Sequence, residues 1–500
     1  MNLAKIALID PSQYTTNYGV RCVSSYLWEK GFEAKLIYLN PDLGHDKSGH
    51  YSQAVREDLA EIIKDCDVIG FTIFTNFYFN AVELTEFVRQ CFPDKLIVWG
   101  GIHPSVSPET SIAHADIVCL GEGEETALEI MNMVSKNEFR TDILGTWVKT
   151  KDGVIKNETR TLEENLDRYP PQDYEPSHQY IIKGGRVVQV DEELLKEMLH
   201  LSPHSKKYFN LPTSDNYQYL TLSSRGCPYL CAFCANNAYR KLYTGKGRWL
   251  RSRSIKHVID EIQGFEKKHD YVNFISFFDD EFLARPEQFI TDFFDEYDKR
   301  VGLPFKCNVS VFNVSMVKMK RLHQSGLKNL EIGLQSGSER VHKEVYLRPF
   351  HPDKFLETAK ILASFPDVTK YYDVILDDPY ENDEDLSKTI VFLSKMPKPF
   401  KLSTFSLTFY PGTALYNRAV ADGLVDSADL RSVIEKKDNK LYLENTYPKM
   451  LVLAASKTSP KLSFLYSIAA QPALIKAFSG PLPDKFFKKV IELAIKVRRT

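Results

Sequence analysis

The chain has 500 residues, of which 43% are hydrophobic and 26% charged, with a formal net charge of −2. Its length indicates two or three domains, and its near-neutral charge gives no basic field, which disfavours a nucleic-acid-binding protein. No apolar run reaches the roughly 18 residues of a membrane helix and the N-terminus shows no signal-peptide pattern, so we expect a cytoplasmic protein.

Residues 1–145 alternate strand and helix patterns, which predicts a doubly wound, Rossmann-like parallel sheet. The predicted strands cover residues 4–9, 34–38, 67–73, 95–99 and 116–119. Such sheets bind ligands at the carboxyl ends of their strands. Two glycine-containing segments, 100–104 and 121–124, follow the fourth and fifth strands and are therefore candidate binding loops.

Residues 146–215 are rich in proline and glycine and predict a linker region with some local structure. Strand patterns resume in residues 216–410, at 217–223, 272–278, 305–311, 328–333, 371–376 and 402–409. Because six βα units are too few to close an eight-stranded TIM-type barrel, we expect an open partial barrel. Residues 411–500 predict a helical C-terminal region.

Three of the eight cysteines fall within eight residues: Cys227, Cys231 and Cys234, spaced C-x3-C-x2-C. Thiolates are the soft ligands that hold iron–sulfur clusters. Three thiolates on one loop would hold three irons of a 4Fe–4S cube and leave the fourth iron open to chelate a substrate. A structural zinc site is the alternative, although zinc usually needs four ligands and no fourth Cys or His lies nearby. The other five cysteines are expected to pack in apolar cores: Cys22, Cys66, Cys91, Cys119 and Cys307.

This spacing, with the aromatic Phe233 before the last cysteine, resembles the signature of the radical S-adenosylmethionine superfamily over roughly residues 216–410. The resemblance implies that the open iron binds the amino and carboxylate groups of S-adenosylmethionine. One electron, from a donor such as flavodoxin or ferredoxin, then cleaves the sulfonium to methionine and a 5′-deoxyadenosyl radical. That radical abstracts a hydrogen from an unreactive carbon.

An acidic segment containing Asp279 and Asp280 ends the second predicted barrel strand. It resembles the segment that this superfamily places near the methionine amino group. Arg348 matches an arginine that pairs with the methionine carboxylate, a role that suits a bidentate guanidinium. The resemblance implies that these residues and Phe233 contact the cofactor.

The fourth predicted barrel strand ends in a segment similar to the superfamily's G-x-E/Q-S-G segment, whose polar residue and serine contact the cofactor. These are Gln335 and Ser336 here. Where the superfamily often has a Gly-x-Pro-x-Glu turn after the fifth strand, this chain has Asp377 in place of the glycine. The isolated histidines His323 and His342 lie in helical patterns and are expected at the surface.

The N-terminal region resembles the cobalamin-binding domains of one subgroup of this superfamily. The resemblance implies cobalamin contacts from Thr72, Gly100, Gly101, His103, Gly121, Glu122, Gly123 and Glu124. Many cobalamin domains carry D-x-H-x-x-G after the first strand, whereas residues 10–19 of this chain contain no histidine. We therefore predict cobalamin without a protein histidine on cobalt. The alternative is a domain kept for architecture.

The leading functional hypothesis is a cobalamin-dependent methyltransferase that acts on an unactivated carbon. The first alternative is an oxidative cyclase or a rearrangement enzyme, with or without cobalamin, and the second is a non-catalytic, cluster-bearing regulatory protein. The aromatic-rich composition suggests a small-molecule or lipid-like substrate. An amphipathic pattern at residues 486–494 allows a peripheral membrane contact, but packing over the barrel mouth is favoured.

Overall fold

The computed structural model describes residues 3–12, 17–201, 215–427, 430–431, 447–456 and 463–478, with side chains excluded at 463–464. These residues form two sheets that are mainly parallel, each with helices packed against it. Within this part of the chain, no helix is both long enough and apolar enough to cross a bilayer. The amphipathic pattern at 486–494 lies outside the described residues.

The first sheet has nine strands in the order β7-β6-β5-β4-β3-β1-β2-β8-β9. Its core, from β5 to β2, is parallel, which confirms the predicted doubly wound sheet. The strands are β1 Ile6–Asp10, β2 Ala34–Tyr38, β3 Val68–Thr72, β4 Leu96–Gly100, β5 Ile117–Cys119, β6 Thr146–Thr150, β7 Gly153–Lys156, β8 Gln179–Lys183 and β9 Arg186–Gln189. The helices are α1 Tyr18–Glu29, α2 Pro41–Gly44, α3 Gln53–Ile63, α4 Tyr78–Cys91, α5 Ile102–Val106, α6 Pro108–Ser111, α7 Glu124–Ser135 and α8 Glu192–Leu199.

The segment predicted as a linker contributes four strands to this sheet. The hairpin β6–β7 joins one edge antiparallel to β5, and β8 joins the other edge parallel to β2 and pairs with β9. The hairpin turns contain Gly153 in one case and the pair Gly184 and Gly185 in the other, all with positive φ. Short, partly exposed edge strands bury little apolar surface, so their sequence pattern is weak. The position of the domain boundary itself stays a prediction.

The second sheet has six parallel strands in sequential order, which confirms the predicted fold class. Among the described residues, no strand joins its two edges. The strands are β10 Gln218–Thr221, β13 Phe274–Phe277, β14 Phe305–Val309, β15 Leu327–Gln335, β16 Thr369–Leu376 and β17 Lys401–Ser406, and a separate antiparallel pair is formed by β11 Ser224–Arg225 and β12 Arg251–Ser252. The helices are α9 Ala235–Leu242, α10 Ile255–Lys268, α11 Glu287–Arg300, α12 Met316–Gln324, α13 Pro352–Ala363, α14 Asp383–Lys395, α15 Ala414–Ala421, α16 Tyr447–Ala455, α17 Ser463–Ala469 and α18 Pro472–Phe478.

The outer face of the second sheet carries the larger apolar core. On β15, Leu330, Ile332 and Leu334 are buried in this core, so the intervening Glu331 and Gly333 face the opposite, inner side. The helices α16, α17 and α18 pack on α14 and add to the same core. The inner face is thereby left for polar side chains.

The structure corrects two expectations about isolated residues. Four of the five scattered cysteines are buried as expected, but Cys91 is exposed at the end of α4. His342 is only 1% exposed and stacks on Phe350 with ring centroids 4.2 Å apart, because it lies on the buried side of the helix at 341–346 with Val341 and Val345. His323 is partly exposed and pairs with Asp367.

Candidate active site

The loop with the three clustered cysteines, residues 226–234, runs from β11 to α9. Gly226 begins it with φ +92°, and a Cβ there would lie 2.5 Å from the carbonyl oxygen of Trp249. The indole Nε1 of Trp249 donates a hydrogen bond of 3.0 Å to the carbonyl of Cys227. Only glycine allows this close approach, so the start of the loop is fixed by its backbone. We call residues 226–234 the cluster loop.

The thiols of the cluster loop suit a metal cluster better than a single ion. Burial raises the pKa of Cys227 to about 12 and that of Cys234 to about 11, so positive charge from bound metal is needed to hold them as thiolates. A structural zinc site normally has four ligands, one more than the three thiols of this loop. In a 4Fe–4S cube each cysteine binds its own iron, and the all-thiol donor set fits that cluster.

Arg348 lies against the cluster loop. Its Nη1 is 3.5 Å from the Sγ of Cys231, and its Nη2 donates to the carbonyl of Gly333 at 3.1 Å. The residue follows a π-helix, Val341–Tyr346, that ends at Leu347 with φ +49°. π-Helical turns are frequent at functional sites. The structure therefore brings the predicted carboxylate-binding arginine to the predicted cluster.

The same π-helix supports the cluster loop itself. The backbone N–H of Ala232 donates to the carbonyl of Tyr346 at 2.8 Å. The ring of Phe233 packs edge-on against Tyr346 with centroids 5.1 Å apart. One element thus sets the positions of both the cysteines and Arg348. Phe233 therefore packs against the π-helix that holds the cluster loop.

The two predicted acidic residues have different environments. Asp279 is fully buried and accepts hydrogen bonds from the backbone N–H and the Oγ of Ser223 at 3.0 and 2.7 Å. It therefore ties the end of β13 to the strand before the cluster loop, which favours a structural role. Asp280 is open to solvent, yet desolvation by the surrounding walls raises its pKa, as expected for a group in a cleft. Contact between Asp280 and the methionine amino group stays a prediction.

Gln335 and Ser336 lie at the carboxyl end of β15. Gln335 adopts φ +69° at an irregularity in the pairing with β16, and its Nε2 lies close to Gly333 beside Arg348. The Oγ of Ser336 is buried and lies 3.1 Å from both Glu381 Oε1 and Thr389 Oγ1. Gln335 is therefore placed beside the site, whereas Ser336 is engaged within the protein.

The turn after β16 departs from the superfamily pattern at Asp377. Asp377 has φ +58°, in the left-handed region that favours glycine, and its Oδ1 is 2.5 Å from the Nζ of Lys449. Aspartate tolerates this conformation better than most residues. The departure in sequence is therefore compatible with the same turn.

The loops at the carboxyl edge of the first sheet approach each other closely. Gly101 has φ +97°, and a Cβ there would lie 2.8 Å from the backbone nitrogen of Ile73 and 3.1 Å from Thr72 Oγ1. Gly100 precedes it at the end of β4. The glycine pair thus lets the loops after β3 and β4 touch, which leaves a small-residue surface that fits the close approach of a nucleotide tail.

His103 is placed differently from the prediction. It is fully buried, its Nδ1 lies 3.3 Å from Thr75 Oγ1, and its Nε2 lies 3.1 Å from Thr110 Oγ1. Burial lowers its pKa to about 4. With both ring nitrogens engaged, the structure favours a role in holding the loop over a direct cofactor contact.

The acidic loop at residues 121–124 contacts the second sheet. Glu122 pairs with Arg225 at 3.1 Å and with Arg251, and Glu124 pairs with Arg225 at 2.5 Å. Gly123 precedes α7. The carboxylates predicted to contact cobalamin are therefore neutralised by arginines that flank the cluster loop. Such partners, about a hundred residues away in sequence, give no local signal.

A group of polar residues on the inner face of the second sheet was missed in the sequence. Lys306 Nζ is 3.0 Å from Glu331 Oε1 on the next strand. On the following strand, burial and the nearby Glu331 raise the pKa of Asp373 to about 7. We call Lys306, Glu331 and Asp373 the inner polar group. The sequence pattern that indicates this group is the polar residue at every second position of strands whose other face is apolar.

Comparisons with known proteins agree with this geometry. Residues 221–393 match the family model for the radical SAM superfamily, and residues 4–131 match the model for the B12 binding domain. The first match contains the three cysteines, Gln335 and Arg348. The second contains both glycine-containing loops of the first sheet.

Three curated relatives are distant in sequence. An uncharacterised methyltransferase of Pyrococcus horikoshii is 27% identical over 74% of this chain and 73% of its own length. The bacteriochlorophyllide d C-8(2)-methyltransferase of Chlorobaculum tepidum is 23% identical over 76% of this chain and 75% of its own length. The anaerobic magnesium-protoporphyrin IX monomethyl ester cyclase of Rubrivivax gelatinosus is 25% identical over 55% of this chain and 44% of its own length.

Two solved structures share the fold. The radical S-adenosylmethionine methyltransferase TsrM from Kitasatospora setae, with cobalamin and a [4Fe–4S] cluster bound, superposes with a TM-score of 0.65 at 14% identity, over 84% of this chain and 78% of that chain. The cobalamin-dependent S-adenosylmethionine radical enzyme OxsB superposes with a TM-score of 0.60 at 18% identity, over 87% of this chain and 56% of that chain. At these identities the likeness shows the fold alone.

Proposed function

Because the chain is a radical S-adenosylmethionine enzyme with an N-terminal B12-binding domain, we propose that it is a cobalamin-dependent methyltransferase acting on an unactivated carbon. The observation that carries this proposal is the contact between the loop at residues 121–124 and Arg225, two residues before Cys227. A loop of the cobalamin-type domain therefore lies next to the start of the cluster loop. The two methyltransferase relatives also match about three quarters of this chain.

The cofactors would be held by residues of both sheets. Cys227, Cys231 and Cys234 would ligate the cluster, and the glycine pair at 100–101 would admit the cobalamin tail. When bound, the cluster would supply the electron for cleavage of S-adenosylmethionine to methionine and a 5′-deoxyadenosyl radical, and cobalamin would supply a methyl carrier. Arg348 would hold the methionine carboxylate with two parallel donors, and Asp280 would accept from the methionine amino group. An electron donor of the flavodoxin or ferredoxin type would reduce the cluster.

The substrate would lie against the inner face of the second sheet. Phe278 at the end of β13 is 43% exposed and Phe405 on β17 is 37% exposed, so aromatic surface borders the inner polar group. A TIM-barrel interior is normally filled by branched apolar side chains. An inner face with both aromatic and charged groups suits a small molecule that has both apolar and polar parts.

The experiment follows the methyl group. The anaerobically reconstituted protein, loaded with reduced cobalamin, is incubated with S-adenosylmethionine whose methyl group is deuterated. We expect deuteromethylcobalamin in the protein fraction by mass spectrometry. A Thr72→Trp variant should block the small-residue surface formed by the loops after β3 and β4. This variant should therefore form no deuteromethylcobalamin. Absence of labelled methylcobalamin from the wild type would reject the methyltransferase proposal.

An oxidative cyclase is the second candidate, because a cyclase relative matches 55% of this chain. The two activities differ in their products. Methyl transfer adds one methylene to the mass of the substrate, whereas oxidative ring closure removes hydrogen. A cyclase would form 5′-deoxyadenosine without moving the deuterated methyl group to cobalamin.

A further inference from the structure

The cluster loop is held by the first sheet at its start. Arg225 lies two residues before Cys227 and pairs with Glu122 at 3.1 Å and Glu124 at 2.5 Å. Arg251, which faces Arg225 across the β11–β12 ladder, also pairs with Glu122 and is buried. Burial alone would raise the pKa of Glu122, but the two arginines hold it below its usual value. The loop therefore begins at a charged contact between the two sheets.

The cluster loop is held by the first sheet at its end as well. Helix α9 begins directly after Cys234 and leads to Tyr243, whose hydroxyl accepts a 2.7 Å hydrogen bond from the backbone N–H of Glu122. A Cβ at Gly121 would lie 1.8 Å from that hydroxyl, so only glycine admits the tyrosine. Tyr239, one turn earlier, places its hydroxyl 3.1 Å from Ser105 Oγ. The same loop of the first sheet is thus contacted from both sides of the cysteines.

These contacts would be costly to build for stability alone. A buried carboxylate paired with arginines stabilises a fold little compared with apolar packing, although loss of one partner is strongly destabilising. The best-attested role of such networks is to fix the relative position of the parts they join. Here the parts are the edge of the first sheet and a short loop whose three thiols must meet one cluster. We call Glu122, Arg225, Arg251 and Tyr243 the interdomain anchor.

We propose that the interdomain anchor is a set of positioning residues that hold the cluster loop in the geometry that binds S-adenosylmethionine. The first sheet would therefore serve the iron–sulfur chemistry directly, in the presence or absence of cobalamin. The carboxylate of Glu122 acts on Arg225 and Arg251 and not on cobalamin. This inference rests on the radical S-adenosylmethionine chemistry of the family and is independent of the group transferred.

The test uses full-length, cobalamin-free protein with its cluster reconstituted under anaerobic conditions. The variants are Glu122→Gln and Tyr243→Phe. The matched control is Glu158→Gln, which removes an exposed ion pair, 2.5 Å long, between Glu158 and Lys246. Measurements are iron and sulfide content, the affinity for S-adenosylmethionine, and the change that it causes in the electron paramagnetic resonance spectrum of the reduced cluster.

We expect unchanged iron and sulfide in both variants because all three cysteines remain. The affinity for S-adenosylmethionine should fall at least about fivefold in Glu122→Gln, within the usual range of coupling between sites. Tyr243→Phe should show a smaller loss, and both should show a weakened spectral change. The control should match the wild type.

Wild-type affinity and a wild-type spectral change in both variants would overturn the proposal. If Glu122→Gln fails to fold by circular dichroism, Tyr243→Phe decides, because it removes a single oxygen atom. Loss of iron from a folded variant would contradict the proposal, because the anchor would then act on cluster assembly and not on the geometry that binds S-adenosylmethionine. The protein contains no cobalamin in this test, so the result is independent of whether methyl transfer occurs.

Discussion

Arg348 is held by backbone and thiol groups. Its guanidinium donates to the carbonyl of Gly333, approaches Cys231 Sγ, and lies 5.6 Å from the ring of Tyr229. Among the residues that the structure describes, it forms no ion pair with a carboxylate. This guanidinium is half-buried and lies beside the cluster site. Because no described carboxylate of the protein pairs with it, it is suited to bind the carboxylate of a ligand.

Replacing Arg348 should weaken cofactor binding and leave cluster assembly intact. Charge-assisted hydrogen bonds contribute roughly 1.5–3 kcal/mol, so Arg348→Ala should lower the affinity for S-adenosylmethionine by about 10- to 150-fold. Arg348→Lys should recover only part of this loss because lysine cannot form two parallel hydrogen bonds. Calorimetry on reconstituted protein measures the affinity, with Arg300→Ala as the control. An unchanged affinity in Arg348→Ala would assign the carboxylate to another residue.

Glu281 should make the stability of the protein depend on pH. Burial raises its pKa to about 8 from a usual value of 4.5, so the folded chain keeps a proton that the unfolded chain has lost between these values. Stability from this group is therefore present below about pH 4.5 and falls as pH rises towards 8. Glu281→Gln cannot ionise and keeps an oxygen that accepts from Leu283 N–H, as Glu281 does at 3.2 Å.

The measurement is the melting temperature of metal-free protein at pH 5 and pH 9. Glu281→Gln should lose less stability than the wild type between the two values and should be the more stable protein at pH 9. The exposed Glu197→Gln serves as the control. The same pH dependence in all three proteins would show that Glu281 is ionised in the folded state.

At the scale of elements, the cluster loop was predictable because its three ligands are local in sequence and their spacing is specific. The six strands of the second sheet were predictable because apolar residues recur on one face of each strand. The edge hairpins β6–β7 and β8–β9 were missed because short edge strands bury little. His342 is expected at the surface as an isolated histidine in a helical pattern, but the structure buries it beside Val341 and Val345. The arginine partners of Glu122 could not be predicted from the sequence because ion pairs between domains leave no periodic pattern.

The cluster loop should account for all iron in the protein. Replacing Cys227, Cys231 and Cys234 by Ala should abolish the 4Fe–4S cluster and the formation of 5′-deoxyadenosine. Cys91→Ala, at an exposed position, should change neither. Iron and sulfide analysis with detection of 5′-deoxyadenosine by chromatography decides the prediction. A triple variant with a full complement of iron and sulfide would place the cluster elsewhere.

At the scale of the whole molecule, each of the two sheets is built mainly from parallel strands. The loops that follow the carboxyl ends of the strands in one sheet contact the corresponding loops of the other. The glycine pair at 100–101 and the loop at 121–124 come from the first sheet, and the cluster loop and Arg348 come from the second. His103, in the first sheet, is enclosed and fully hydrogen-bonded. Cobalamin bound beside these loops would therefore meet no ligand from His103.

Bound cob(II)alamin should show no coordination by a protein imidazole. Protein labelled with ¹⁵N-histidine and loaded with cob(II)alamin should give the same hyperfine pattern as unlabelled protein in electron paramagnetic resonance. His103→Gln should also leave the pattern unchanged. A pattern altered by the label would show that a histidine reaches cobalt, and absence of cobalamin binding would favour the architectural role of the domain.

The π-helix before Arg348 makes the length of this segment more important than its composition. A π-helix accommodates an extra residue relative to an α-helix, and one residue corresponds to about 100° of rotation around a helix axis. Deleting the exposed Lys343 should convert the turn to an α-helix and leave the guanidinium near Cys231, because the π-helix has already absorbed the extra residue, whereas inserting an alanine after Lys343 should rotate the guanidinium away. Lys343→Ala and the deletion should keep S-adenosylmethionine affinity, whereas the insertion should abolish it. The segment therefore acts as an angular spacer, in which one added residue disconnects the arginine from the cluster.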